Sequence, residues 1–305
     1  VPGLFNRMTL SSLMAYSLLS TGMDDLEDHP EYAAYLSPSS TTFEHNSLIR
    51  GHHPYLFSAT IPDVVKGALT IKMLYDHADR YWREWFPHLP SYGAYVQRLN
   101  RLADVFPALL DKLSPAGAPI TPTGVADSFP VVLAQQSRRF TAKVAHEVAN
   151  SGYCPTKKLY YHGVKVHAIG DERPGTLPLP RYLGMTPAGL NDGPVLEQIA
   201  PTLTYRNLFA DKAYEYLSRQ PTLPFTVFTP IRKVQGQTHL DAADRLFSTA
   251  VSRVRQPIEA LFNWIQEKTG IEAASKVRSS RGLLVHVFGR LVAAMFLLNV
   301  LPQSA

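Results

Sequence analysis

The sequence predicts an α/β fold: a mixed five-stranded sheet flanked by helices and preceded by an all-helical N-terminal domain. Three observations predict it. Residues 1–112 carry apolar residues at helical spacing and few strand signals. Residues 113–124, LSPAGAPITPTG, are rich in Pro, Gly, Ser and Thr and read as a linker. From 125 to 305 three strand-like runs come in succession, two more alternate with helical segments, and long helices close the chain. That order describes a mixed sheet with helices on both faces.

In the front part, Asp24, Asp25, Glu27, Asp28 and Glu31 read as a solvated acidic surface. His52-His53-Pro54 lacks further ligands at metal-binding spacing. A helix is expected over residues 61–85, with Pro62 near its first turn. Phe86-Pro87-His88-Leu89-Pro90 breaks it, and a second helix over 91–113 sets Tyr95, Leu99, Leu102 and Phe106 on one side. Tyr92 and Tyr95, like Trp264 further on, are expected in core packing rather than on bases.

The strands are expected at 125–133, 160–169, 179–185, 207–210 and 225–229, from their β-branched, aromatic and apolar content. Helical segments are expected at 193–203 and 214–218, and long helices from about Asp241. Residues 282–301 nearly match a bilayer span, but His286 and Arg290 are costly in lipid. Their apolar residues fall in two rows, Leu283, Val287, Leu291, Met295 and Leu284, Phe288, Val292, Phe296, so a packed C-terminal helix and no membrane are expected.

At 305 residues and 33.9 kDa the chain suits two domains. With 45% apolar and 18% charged residues it is neither disordered nor fibrous. Its single cysteine, Cys154, excludes an internal disulfide framework and reads as inert. The net charge of +5 is uneven: residues 1–118 balance to −3 and residues 119–305 to +8. A polyanionic partner for the back half follows. The chain begins at Val1 with neither an initiator Met nor a signal-peptide pattern, which reads as residues missing before Val1.

Three acids sit in apolar surroundings. Asp127 interrupts the strand run Val125–Val132, Asp211 ends Leu208-Phe209-Ala210, and Glu259 lies in Pro257-Ile258-Glu259-Ala260-Leu261-Phe262. A buried unpaired carboxylate costs several kcal/mol. Taken singly, each reads as a capped or salt-bridged acid. Three of them, one per element, fit a clamp for two Mg²⁺ ions, which take hard oxygen ligands and cleave phosphodiesters.

The fragments Ala126-Asp127-Ser128-Phe129-Pro130, Gly163-Val164-Lys165-Val166-His167, Phe209-Ala210-Asp211-Lys212-Ala213-Tyr214 and Arg255-Gln256-Pro257-Ile258-Glu259-Ala260-Leu261-Phe262-Asn263-Trp264, with Lys276-Val277-Arg278-Ser279-Ser280-Arg281-Gly282-Leu283, resemble bacterial insertion-sequence transposases of the DDE class over about residues 90–300. The resemblance implies a ribonuclease-H-like core, with Asp127, Asp211 and Glu259 as a catalytic triad binding two Mg²⁺ or Mn²⁺ ions. It also implies cleavage at element ends and joining of the 3′-hydroxyl to target DNA. Spacings of 84 and 48 residues between the acids suit the family without a large insertion before the Glu. Some members carry Tyr, Arg, Glu and Lys around the third acid; here Arg255 is in place, but Ser252 and Gln266 stand at the Tyr and Lys positions.

The expected DNA contacts are Arg138, Arg139, Lys157, Lys158, Lys165, His167, Lys212, Arg232, Lys233, Arg255, Arg278 and Arg281. Lys165 and His167 share strand parity and the resemblance places them near the scissile phosphate, whereas His162 points the other way. Residues 1–112 are expected to recognise the element end, with a homodimer holding two ends. The expected setting is cytoplasmic, on the bacterial nucleoid. A transposase-derived DNA-binding protein and a ribonuclease-H-like nuclease are the competing expectations.

Overall fold

The computed structural model describes residues 71–81, 83, 88–115 and 119–300. The acids at 24–31, His52-His53-Pro54, residues 61–70, 82, 84 and 85 of the helix expected over 61–85, and residues 86–87 of the break after it lie outside the described residues. The chain divides into two compact units. One comprises residues up to Leu113 with Lys268–Gly270 and the run from Phe288; the other comprises Ser114–Glu267 and Ile271–Val287.

The first unit holds α1 (Ile71–Tyr81), α2 (Tyr92–Arg101), a short 3-10 turn at Leu102–Asp104 and α3 (Val105–Leu113). The Ser91 hydroxyl accepts the Ala94 N–H at 3.3 Å and so starts α2. Tyr95, Leu99, Ala103, Phe106 and Leu110 recur every three or four residues and are buried, while Leu102 is half-buried. Tyr75 stacks near Tyr95, with ring centroids 5.7 Å apart, and donates its hydroxyl to the Pro90 carbonyl at 2.7 Å.

The second unit is built on one mixed, curled sheet of six strands rather than five. In chain order it has β1 (Thr123–Gln135), β2 (Asn150–Cys154), β3 (Leu159–Asp171), β4 (Leu179–Pro187), α4 (Asp192–Ile199), β5 (Asn207–Ala210), a 3-10 helix at Lys212–Arg219, β6 (Thr226–Phe228), α5 (Ala242–Thr269) and α6 (Ser280–Val300), whose second half belongs to the first unit. The strand order is β2-β3-β1-β5-β6, and β4 also pairs with β3. The long β3 accommodates both neighbours because β2 pairs with its residues 159–163 and β4 with its residues 164–171. β1 runs antiparallel to β3 and parallel to β5, and β5 is parallel to β6.

Pairing of β1, expected to end near Pro130 because proline donates nothing to a ladder, runs past it: Pro130 stands opposite Lys165 in mid-strand. Val132, of the same parity, directs its N–H and C=O away from β3, to the backbone of Glu272 and Ala274. Pro130 therefore turns its missing donor to the side that β5, ending at Ala210 beside Ala126, no longer covers. Pro257, expected to start or kink the helix that carries Glu259, does not start it: it lies inside the 28-residue α5. The aromatic contacts described next hold α5 on both sides of it, and Ile258 and Leu261 are buried beside it.

The two faces of the sheet bury different partners. On one, Ala126, Leu208, Val227, Leu196, Tyr214 and Leu217 form a core under α4 and the 3-10 helix. On the other, α5 is anchored at both ends: Phe247 lies 6.4 Å from Phe228 of β6, and Phe262 lies 4.8 Å from Phe129 of β1. In α6 the row Leu283, Val287, Leu291 and Met295 is buried, while Leu284, Phe288 and Phe296 of the second row are half-buried. The helix is long and apolar enough to cross a bilayer by length and composition alone, and half of it is buried inside the protein. Asn299 donates to the Leu113 carbonyl at 2.9 Å.

Candidate active site: three acids around Arg255

Parallel pairing of β1 and β5 ends at Ala126 beside Ala210, so the next residue on each strand is an aspartate. Parity directs Asp127 to the face of Val125, Phe129 and Val131, and Asp211 to the face of Phe209. Val125 stands opposite Phe209, so both aspartates belong to the α5 side. Arg255 and Glu259 lie one turn apart on α5, between its Phe247 and Phe262 anchors. The sequence thus brings Asp127, Glu259 and one guanidinium together and sets Asp211 at the neighbouring strand end.

Arg255 joins them. Its Nη1 donates to Asp127 Oδ2 at 2.6 Å and its Nη2 to Glu259 Oε1 at 2.5 Å. Burial lowers the Arg255 pKa, but the charges of Asp127, Glu259 and Asp211 outweigh it and raise the value overall. Its Nε is buried without a hydrogen-bond partner. Burial pushes the Asp127 carboxyl up to about 7; Arg255 and the Ser128 N–H pull it down, while Asp211 and Asp192 add to the rise. The Ser128 N–H, which faces the uncovered side of β1, donates to Asp127 Oδ1 at 2.8 Å.

Lys165 and His167 stand opposite Pro130 and Ser128, on the face away from Asp127. Lys165 pairs with Asp192 at 2.6 Å, and His167, 3% exposed, shares a 2.7 Å hydrogen bond between Nε2 and the Thr186 hydroxyl. They are not brought to the triad. His162, on the other face, bonds the Val144 carbonyl through Nε2 at 3.0 Å. Lys212 directly follows Asp211 and is exposed. Arg232 pairs with Glu215 at 2.9 Å, and Lys233 donates to the Thr238 carbonyl at 2.7 Å. Arg278 is exposed and donates to the Ser275 and Val277 carbonyls, and Arg281 is exposed on the first turn of α6. Arg138 and Arg139 lie in the 3-10 turn after β1, and Lys157 and Lys158 in the β2–β3 turn, with Lys157 paired to Glu272. Arg255, expected on DNA, directs Nη1 and Nη2 to the acids instead.

Two residues absent from the expectations belong to this region. Asp192, the first residue of α4, accepts from Lys165 and, at 3.0 Å, from the Ser128 hydroxyl. Ser128 therefore touches Asp192 with its side chain and Asp127 with its backbone. The buried Tyr214 hydroxyl is held protonated, its pKa raised well above the usual value by burial and then by Asp192, Asp127 and Asp211. Among the described residues, no three His, Cys, Asp or Glu side chains stand close enough to hold one ion. Arg255 is the cation between Asp127 and Glu259, and Lys165 is the one beside Asp192.

Comparison with protein-family models, with curated proteins and with solved structures gave no match.

Proposed function

We propose that the protein is a DDE-class DNA transposase, which cleaves DNA at the ends of a mobile element and joins the 3′-hydroxyl to target DNA. The observation that carries this reading is the register that sets Asp127 beside Asp211, with Arg255 tying Asp127 to Glu259. Antiparallel strands on one side of β1 and parallel ones on the other, with the acids on β1, after β5 and on a covering helix, support a ribonuclease-H-like core. The donor set fits Mg²⁺ or Mn²⁺, two per site, since all three groups are hard carboxylate oxygens whose charge already attracts one cation. Asp127, Asp211 and Glu259 would hold the ions, which supply charge neutralisation at the phosphoryl oxygens and ease deprotonation of the attacking group.

The chain's own residues supply the rest. Arg255 keeps the acids from repelling one another before DNA and metal arrive. Exposed Lys212, Arg278 and Arg281 offer phosphate contacts without reading sequence. Residues 1–112 would recognise the element end, and a homodimer on nucleoid DNA in the cytoplasm would hold two ends together.

The clamp of Arg255 on two of the acids favours one second reading, a transposase-derived protein that binds DNA without cleaving it. The test is Mg²⁺-dependent cleavage of the DNA flanking the protein's own gene. The wild type should cut at defined ends, and Asp127→Asn should bind those ends without cutting. Binding without cutting by the wild type, in Mg²⁺ and in Mn²⁺, would replace the first reading by the second.

A further inference from the structure

The sheet face that carries Asp127 continues along β3 to a cluster the catalytic reading does not use. Ala168 stands opposite Asp127, and Tyr160 lies eight residues away on the same face, roughly 26 Å at about 3.3 Å per residue. Tyr160 is in register with Tyr153 of β2, with ring centroids 4.5 Å apart. Tyr160 is 54% exposed and Tyr153 46%. The Arg139 guanidinium lies 4.7 Å from the Tyr160 ring centroid and 4.0 Å from that of Phe140, which is 75% exposed. Three rings and a guanidinium plane are thus gathered in water, where isolated apolar side chains are common but stacked clusters are not.

The charge around the rings is mainly positive. The turn between β2 and β3 carries Lys157 and Lys158, with Lys158 in the left-handed region at φ 48° and its N–H on the Pro155 carbonyl at 3.1 Å. Lys157 is answered by Glu272. Among the described residues, Arg138, Arg139 and Lys158 form no ion pair.

We propose that this aromatic–guanidinium platform binds an unpaired stretch of DNA, bases stacking on Tyr153, Tyr160 and Phe140 while the basic groups hold its backbone. Every base offers a π-face, so such a platform grips single strands without reading sequence. A duplex has its faces stacked internally and offers these rings nothing but an edge. A second copy of the chain would also cover them, but across a two-fold axis the patch would set its positive charge against itself. The choice of DNA as the nucleic acid rests on the transposase reading. The stacking chemistry does not use the acids.

The test uses the full chain carrying Asp127→Asn and fluorescein-labelled oligothymidine, single-stranded or annealed to oligodeoxyadenosine, read by fluorescence anisotropy. Adding Tyr153→Ala with Tyr160→Ala should weaken single-strand binding at least about tenfold and duplex binding less than about threefold. Tyr153→Phe with Tyr160→Phe should bind like the parent, since the ring is kept. Tyr153 and Tyr160 are both exposed, and unchanged melting curves would show that each variant folds. No single-strand binding by the parent, equal losses on both DNA forms, or a Phe pair as weak as the Ala pair would each overturn the proposal. So would a variant that loses self-association in sedimentation while keeping its DNA affinity, which would make the patch a contact between copies. Cleavage by the wild type is read in the separate assay above, so the two readings fail independently.

Discussion

Arg181 grips the fully buried carboxylate of Asp171 with two nitrogens, Nε at 2.9 Å and Nη2 at 2.8 Å from the same Oδ2. The other oxygen accepts the Tyr205 hydroxyl at 2.9 Å, and Oδ2 also accepts the Ile120 N–H. Arg181 Nη1 reaches the Pro115 carbonyl at 3.1 Å. One ion pair therefore fastens β3 and β4 to the segment leading into β1 and to the residues before β5.

Removing one partner would strand the other charge inside the protein. Asp171→Asn or Arg181→Ala should cost about 3–5 kcal/mol in urea unfolding. A loss under about 1 kcal/mol for both would mean the pair is not the fastening described.

The Arg255 clamp makes a prediction about metal. Arg255→Gln should destabilise the protein without divalent cations, because Asp127 and Glu259 lose their counter-charge; the loss should be about 1–3 kcal/mol. Mg²⁺ should then raise the melting temperature of the variant more than that of the wild type. Equal shifts would show that the guanidinium and the ion do not compete.

His167 makes the protein sensitive to acid. Burial lowers its pKa from 6.5 to about 4, with Asp192 opposing and Lys165 reinforcing the fall. The unfolded chain then binds the proton more readily, so the folded state loses stability as pH drops from about 6.5 towards 4. His167→Gln should flatten this limb by up to about 1.4 kcal/mol per pH unit in denaturant midpoints measured across that window. An unchanged slope would assign the acid limb to other groups.

Two glycines should respond in opposite directions to alanine. At Gly163 of β3 a Cβ would stand 2.1 Å from the Val131 carbonyl oxygen, which is backbone and cannot yield cheaply. Gly163→Ala should cost about 2–4 kcal/mol. At Gly93 in α2 nothing lies within 4 Å, and Gly93→Ala should gain about 0.5 kcal/mol. Thermal melts of the two variants check both signs.

The strands with apolar runs were legible because burial imposes the pattern: residues 207–210 match β5 and residues 160–169 fall within β3. β2 was not, since Asn150-Ser151-Gly152-Tyr153-Cys154 buries little and forms an edge through its backbone alone. Asp127 was legible as a charge in an apolar run; Glu259, expected in apolar surroundings, is 53% exposed on α5. Their clamp was not, because Arg255 lies four residues from Glu259 but 128 from Asp127, and only the register brings them together. Parity sets Lys165 and His167 on one face. Which face that is depends on Asp127 standing opposite Ala168, and no single strand carries that information. Asp192 escaped notice because an aspartate opening a helix reads as an ordinary first-turn acid.

The donors along the free side of β1 have a practical consequence for any mutational study of this protein. Ala126 is served by β5, Val132 by Glu272, Pro130 has nothing to donate, and Ser128 depends on the Asp127 carboxylate alone. Truncating Asp127 to alanine would orphan an amide as well as delete a charge, and any loss of function would then report two injuries at once. Asparagine keeps an oxygen for that amide and surrenders only the negative charge. The pair of variants therefore separates folding damage at the strand from loss of chemistry, and the alanine variant alone cannot.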